Sequence, residues 1–282
     1  MKGVPSYWRS PLPHYWIGKK VNSLAHLIYK ARDTKIEGEV VSQKELTPGD
    51  LVAALKIYIC LVLQSHDKKQ EQHVGKGMVR TTYEELILYL GLTRPMVARG
   101  LRILENYGAV ERMGTKPLVY RIKGSDQSAA DEWMGFTWLP KGYIWGTKDR
   151  STKRLVIFSG YPNRGAAAAH GLALYLLFAS VVQRNTNVAL ITYGKIGSRL
   201  GLSNQEIRAG IDLLVNHGFV SVLRVIDSQT FEALGLSVPQ EILSGSPNAY
   251  LIKGLRARAY NENVNTLQDY DALIKGIAKG SD

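Results

Sequence analysis

Apolar positions along the chain fall into helical and extended runs divided by glycine and proline turns, and the runs occur in one order twice. Leu55, Ile59, Val62 and Leu63 share one side of a predicted helix over Leu51–Gln64. A partner over Ala166–Gln183 carries Leu172, Leu176, Phe178 and Val182 and is more apolar, so it is expected to lie deeper. Short extended pieces follow at Met78–Thr81 and Val188–Ile191. Thr82 and Glu85 then have the spacing of a capping box, and the helix they start ends in the turn Leu90-Gly91-Leu92. Gly201 ends the equivalent helix. Thr93 and Ser203 are expected to cap a third helix in each copy, with Glu206 completing a second box. Pro95 fits the first turn, where N–H groups have no intrahelical acceptor. Val97, Leu101 and Leu104 face inward in one copy and Ile207, Ile211 and Leu214 in the other, before stops at Gly108 and Gly218. Val110–Met113 and Leu118–Ile122 read as two strands around a turn, matched by Val220–Ile226 and Ala249–Ile252.

The repetition extends to residue identity. Ten of the 29 positions from Thr82 to Val110 recur unchanged 110 positions later, including Gly91, Gly100, Asn106 and Gly108. Lys116–Gly124 matches Ser246–Gly254 at an offset of 130, which leaves an insert at 227–248 in the second copy. Matching glycines are not required by apolar periodicity, so two copies of one unit are present. A two-stranded ribbon on three helices is a winged helix, a helix-turn-helix with an added β-hairpin. The expected fold is mainly α with small β-hairpins (α+β), as tandem winged-helix domains.

The predicted organisation is a 1–47 extension, a first unit at 48–124, a connector at 125–164, a second unit at 165–254 and a tail at 255–282. The extension holds Tyr7, Trp8, Tyr15 and Trp16 and a helix over Ser23–Ala31. The connector holds Trp133, Phe136, Trp138, Tyr143 and Trp145, and leads to an extended run at Arg154–Phe158. These rings are expected to dock between the units, with a base-stacking platform as the alternative.

Charge turns this pattern toward function. The chain has 36 Lys and Arg against 24 Asp and Glu, a net +12, which favours a polyanionic partner. Residues 51–125 hold twelve bases and six acids, and 141–164 hold six bases and one acid, whereas 165–253 hold six and five. The first half should therefore supply most of the attraction to phosphate. A hydrophobic share of 45% supports folded cores. Cys60 is the only cysteine, which excludes an intrachain disulfide framework and a thiolate-rich zinc site. No run of eighteen uncharged apolar residues occurs and no apolar signal core opens the sequence, so no membrane span and a cytoplasmic location are expected.

In a helix-turn-helix the polar face of the third helix enters the DNA major groove while wing and loop groups contact phosphates. Arg94 and Arg99 are the candidate base readers of the first unit, with Arg102 further along toward the backbone. Arg112 and Lys116 suit phosphate or minor-groove contact from the wing, and the strand face of Arg121 is left open. In the second unit Asn204, Gln205 and Arg208 are candidate readers, supported by Lys195 and Arg199 on the preceding helix. Asn and Gln suit adenine through paired donor and acceptor bonds. That unit serves DNA contact or, alternatively, dimerisation. Lys148, Arg150, Lys153 and Arg154 form a basic string suited to tracking the backbone between the units.

Catalytic chemistry is not indicated. There is no phosphate-binding P-loop, and the six histidines form no metal-binding pair. His217 stands where the first unit has Tyr107 and is expected to be structural. No catalytic residue, metal or cofactor is expected.

The pattern Thr-Tyr, Leu-Gly-Leu-Thr/Ser, Leu, Asn-x-Gly-x-Val, followed by Tyr-x-Ile-Lys-Gly, resembles that of tandem winged-helix DNA-binding proteins over 48–124 and 165–254. The paired layout is most similar to plasmid or phage replication initiators. The resemblance implies binding of double-stranded DNA at repeated origin sites, a regulatory homodimer, repression of the protein's own promoter and contacts with host replication proteins. A transcriptional regulator acting at an operator and a non-enzymatic protein-interaction scaffold are the alternatives.

Overall fold

The computed structural model describes residues 10–13, 17, 24, 27, 28, 46–65, 74, 75, 77–114, 118–125, 136–145, 155–158, 160–182, 188–223 and 248–254. The aromatic cluster Tyr7, Trp8, Tyr15 and Trp16, residues 224–247 of the insert region and the 255–282 tail lie outside them. β1 (Ser10–Pro13) comes first. α1 (Pro48–Gln64), β2 (Met78–Arg80), α2 (Tyr83–Leu90), α3 (Arg94–Asn106), β3 (Val110–Arg112) and β4 (Val119–Ile122) form the first unit. β5 (Phe136–Leu139), α4 (Lys141–Trp145) and a single 3-10 turn (Val156–Phe158) follow. The second unit repeats the order with α5 (Ala166–Val181), β6 (Val188–Ile191), α6 (Tyr193–Leu200), α7 (Asn204–Asn216), β7 (Val220–Leu223) and β8 (Asn248–Ile252). The whole is a mixed α/β fold with small antiparallel sheets.

α1 and α5 form the centre and pack on each other. α1 begins where Thr47 and Asp50 close a capping box, with Pro48 in the first turn. Every residue from Asp50 to Gln64 is buried, so this helix is enclosed on all sides rather than on the one side its strongest apolar positions suggest. The reason is tertiary: α2, α3, α5 and β1 all pack against it. α5 is buried from Ala168 to Ala179, as expected for a helix apolar all round.

Each third helix lies on its unit's first helix through a glycine. A Cβ on Gly100 would come within 3.0 Å of the Ala53 and Ala54 backbone and 2.8 Å of Ile57 Cδ1. A Cβ on Gly210 would meet Leu174 Cδ1 at 2.7 Å and the Gly171 backbone at 3.1 Å. Only a missing side chain allows such an approach. Gly91 and Gly201, at φ 63° and 69°, end the second helices in the left-handed conformation that glycine adopts without steric cost.

The extended pieces after the first helices are strands, so each predicted two-stranded hairpin is a three-stranded antiparallel sheet, β2-β4-β3 and β6-β8-β7. Val79 pairs with Tyr120 and Ala189 with Tyr250, and all four are buried, so both units lay a tyrosine from the central strand into the core. β1 and β5 make a further two-stranded sheet that was not legible in the sequence. Pro11 and Pro13, two apart, lack N–H groups on the same strand edge, which leaves the other edge able to pair. Leu24, Leu27 and Ile28 are helical and buried, at the spacing of one helix face.

Residues 155–163 join the units. The predicted extended run ends instead in the 3-10 turn, because this stretch folds against both units at once. On the first unit's side, Leu155 N–H donates to Tyr89 O at 3.0 Å and Asn163 Nδ2 donates to Gly91 O at 2.9 Å. Lys56 Nζ, fully buried on α1, donates to Tyr161 O at 2.8 Å, Asn163 Oδ1 at 2.7 Å and Phe158 O at 3.5 Å. On the other side, Phe158 and Tyr161 pack their rings on Phe219, which also meets Tyr175 edge-on. Tyr143 adds a hydrogen bond from its hydroxyl to Gly218 O, 2.9 Å.

Two outcomes follow from this packing. Gly100→Ala is expected to destabilise the fold by about 1–3 kcal/mol, because rigid backbone blocks the added methyl. Gly194→Ala, with nothing within 4 Å of its Cβ, is expected to be neutral or stabilising. Denaturant unfolding checks the contrast, and equal effects would refute the close approach. Burial lowers the Lys56 pKa from 10.5 to about 8. Between those values the unfolded chain keeps a proton that the folded chain has lost, so this residue makes stability rise with pH. The expected rise from about pH 7.5 to about pH 9.5 is about 2 kcal/mol. It should vanish in Lys56→Met, and parallel pH profiles of the two proteins would contradict the assignment.

Candidate nucleic-acid interface

α3 turns its apolar positions to the core, with Met96, Val97, Gly100, Leu101, Ile103 and Leu104 buried. Its outer face exposes Arg94, Pro95, Arg99, Arg102 and Asn106. The three candidate arginines therefore share an open surface, although two of them are engaged. Arg94 Nη1 lies 2.6 Å from Glu84 Oε1, and its guanidinium sits 5.5 Å from the Tyr83 ring centre. The Glu84 carboxyl is held below its ordinary pKa, first by a hydrogen bond to its own backbone N–H at the start of α2 and next by Arg94. Arg99 Nε lies 3.2 Å from Asp50 Oδ1. Thr93 occupies the cap position but makes no side-chain cap bond. Pro95 removes one of the two N–H groups a capping oxygen accepts from, and Met96 has no carboxylate to close a box.

On the sheet, Arg112 is exposed and its Nε donates to Gly114 O at 3.3 Å, curling over the turn after β3. Arg121 is half-buried and pairs across the strands with Glu111 at 3.7 Å. Lys116 and the string Lys148, Arg150, Lys153 and Arg154 lie outside the described residues.

The second unit presents a different surface in the same place. Asn204, Gln205 and Arg208 are exposed on α7, and Lys195 and Arg199 on α6. Ser203 and Glu206 close the predicted capping box. Asp212, also exposed, stands where α3 has Arg102. Ile207, Gly210, Ile211 and Leu214 form the buried side. His217 caps α7 as Tyr107 caps α3, and its ring packs edge-on against Tyr161 at 5.1 Å.

The acidic partners of the arginines are absent from any reading of the third helix alone. Asp50 is 49 positions from Arg99, and its one local signal is the Thr47-x-x-Asp50 capping spacing, which reveals a helix start and not an ion pair. Asn163 is equally hidden, yet it ties the Gly91 turn in front of α3 to Lys56.

Among the described residues no group of three or more His, Cys, Asp or Glu side chains is placed to hold a metal ion. No described helix is long and apolar enough to cross a membrane. No protein family, curated protein or solved structure matches the chain. The surface itself offers guanidinium donors on one third helix and amide donor–acceptor pairs with one guanidinium on the other. These are the groups that hydrogen-bond base edges and phosphate oxygens.

Proposed function

We propose that both units are winged helices and that the chain binds double-stranded DNA sequence-specifically, with α3 and α7 as its reading elements. The observation that carries this reading is the doubling of one exposed polar helix, each copy held on its unit's first helix by a glycine contact. The element order and three-stranded sheets support the winged-helix assignment. Three helix contacts separate α3 from α7, through α1 and α5.

The two reading faces are unlike. Arg94, Arg99 and Arg102 suit guanine and phosphate, while Asn204 and Gln205 suit adenine. One chain then reads an asymmetric site, and several chains occupy direct repeats more naturally than one palindrome. This favours a replication initiator at repeated origin sites over a repressor at a palindromic operator. The basic excess before residue 165 supplies the salt-sensitive part of binding. Homodimers and host replication proteins are the partners this role implies.

The test is selection of duplexes from a randomised pool by the full chain, followed by titration on the selected duplex and a scrambled one across salt. Asn204→Ala is expected to weaken selected binding by about 1–3 kcal/mol and leave scrambled binding nearly unchanged. Arg112→Ala is expected to weaken both alike and reduce the salt slope by about 1. Little salt-sensitive binding to any duplex would refute the function and favour a scaffold.

A further inference from the structure

The second unit lacks the two arginine–carboxylate pairs made by the third helix of the first. The glycine contacts align Ala54 with Gly171, 117 positions apart (171 − 54), and Gly100 with Gly210, 110 apart (210 − 100). On that alignment Asp50 corresponds to Ala167 and Arg99 to Ala209, so both members of the pair are alanine in the second unit. Glu84 and Arg94 correspond likewise to Gly194 and Asn204. Each pair is present whole or absent whole. An arginine serving only to attract phosphate gains nothing from a carboxylate at 3.2 Å, so these pairs call for another explanation.

The pairs are built differently. Glu84 and Arg94 are each about two-thirds exposed, at 67% and 66%, and such a pair holds its members weakly. Asp50 is fixed. Its Oδ2 accepts from Thr47 N–H at 3.3 Å and from the Thr47 hydroxyl at 2.8 Å, and its side chain is 9% exposed. Arg99 is 54% exposed, and its Nε, the nitrogen nearest the chain, forms an ion pair with Asp50 Oδ1. Its two terminal nitrogens lie beyond Nε in the guanidinium. Guanine O6 and N7 take two coplanar N–H groups from one guanidinium. An ion pair that draws Nε to a fixed carboxylate narrows the side chain's rotamers before DNA arrives.

We propose that Asp50 is a positioning residue for Arg99, holding the terminal edge of its guanidinium toward a guanine in the major groove. The first unit then discriminates by geometry and gives up part of its general attraction to phosphate. This rests on the DNA-binding reading above.

Asp50→Asn keeps one oxygen for Thr47 and turns an amide N–H toward Arg99, which loses its anchor. Electrostatics alone predicts tighter binding to every duplex once this negative charge is removed. Positioning predicts the reverse on the duplex selected by the unaltered chain. The ratio of selected to scrambled affinity should fall by roughly fivefold or more. Repeat selection with Asp50→Asn should lose preference at one G·C pair, the same pair that Arg99→Lys loses. Glu84→Gln should leave the ratio within roughly twofold. Arg99→Lys leaves the Thr47–Asp50 cap intact and carries the test alone if Asp50→Asn proves unstable on heating. Unchanged base preference in these variants, with the unaltered chain still selecting a sequence, would overturn the role of Asp50 and leave DNA binding standing. Failure of the unaltered chain to select any sequence would overturn the DNA reading and this role together.

Discussion

The ammonium group of Lys56, fully buried, ties the segment that joins the two units to the first unit's central helix. It sits on a helix buried along nearly its whole length and donates to Tyr161 O, Asn163 Oδ1 and Phe158 O. A buried amine is tolerated only when its hydrogen-bonding needs are met, so the 155–163 segment is bound to α1 by the cost of leaving that amine unpaired. The same segment lays Phe158 and Tyr161 against Phe219, deep in the second unit. Asn163 then extends the constraint to Gly91, at the turn from which α3 departs. A short chain of hydrogen bonds and ring contacts thus connects the second unit's aromatic core to the turn before the first unit's exposed helix.

This constraint matters for a molecule proposed to read DNA with two unlike surfaces. Two helices on a floppy tether would gain effective concentration but would tolerate many spacings. Two helices fixed through a shared core accept one spacing, and the joint then contributes to specificity without touching a base. The division of labour between the units fits that arrangement. One face carries arginines, two of them held by carboxylates, and the other carries amides with Asp212 in place of Arg102.

Much of the fold was legible because the repeat preserves backbone requirements as well as apolar pattern. Gly91, Gly100, Gly108 and their counterparts recur because a turn or a close helix contact demands them, and the boxes at Thr82–Glu85 and Ser203–Glu206 start helices where their spacing predicts. What escaped depended on distant partners. Lys56 reads as a surface residue on an amphipathic helix until α5 and the 155–163 segment cover it. Ser10–Pro13, with two prolines, gives no strand signal, and its pairing with Phe136–Leu139 spans more than a hundred residues. At the candidate interface the exposed arginines and amides followed from helical spacing. The carboxylates holding Arg94 and Arg99 come from other helices and carry no signal at that spacing.

The central claim is that the joint holds α3 and α7 in one fixed relation. Arg102 and Asp212 are exposed at equivalent positions of the two helices, and Cys60, the only cysteine, is buried. Spin labels on the double variant Arg102→Cys, Asp212→Cys therefore report the separation directly. One narrow distance distribution is expected in the free protein. A broad or multiply peaked distribution in the free protein would contradict it.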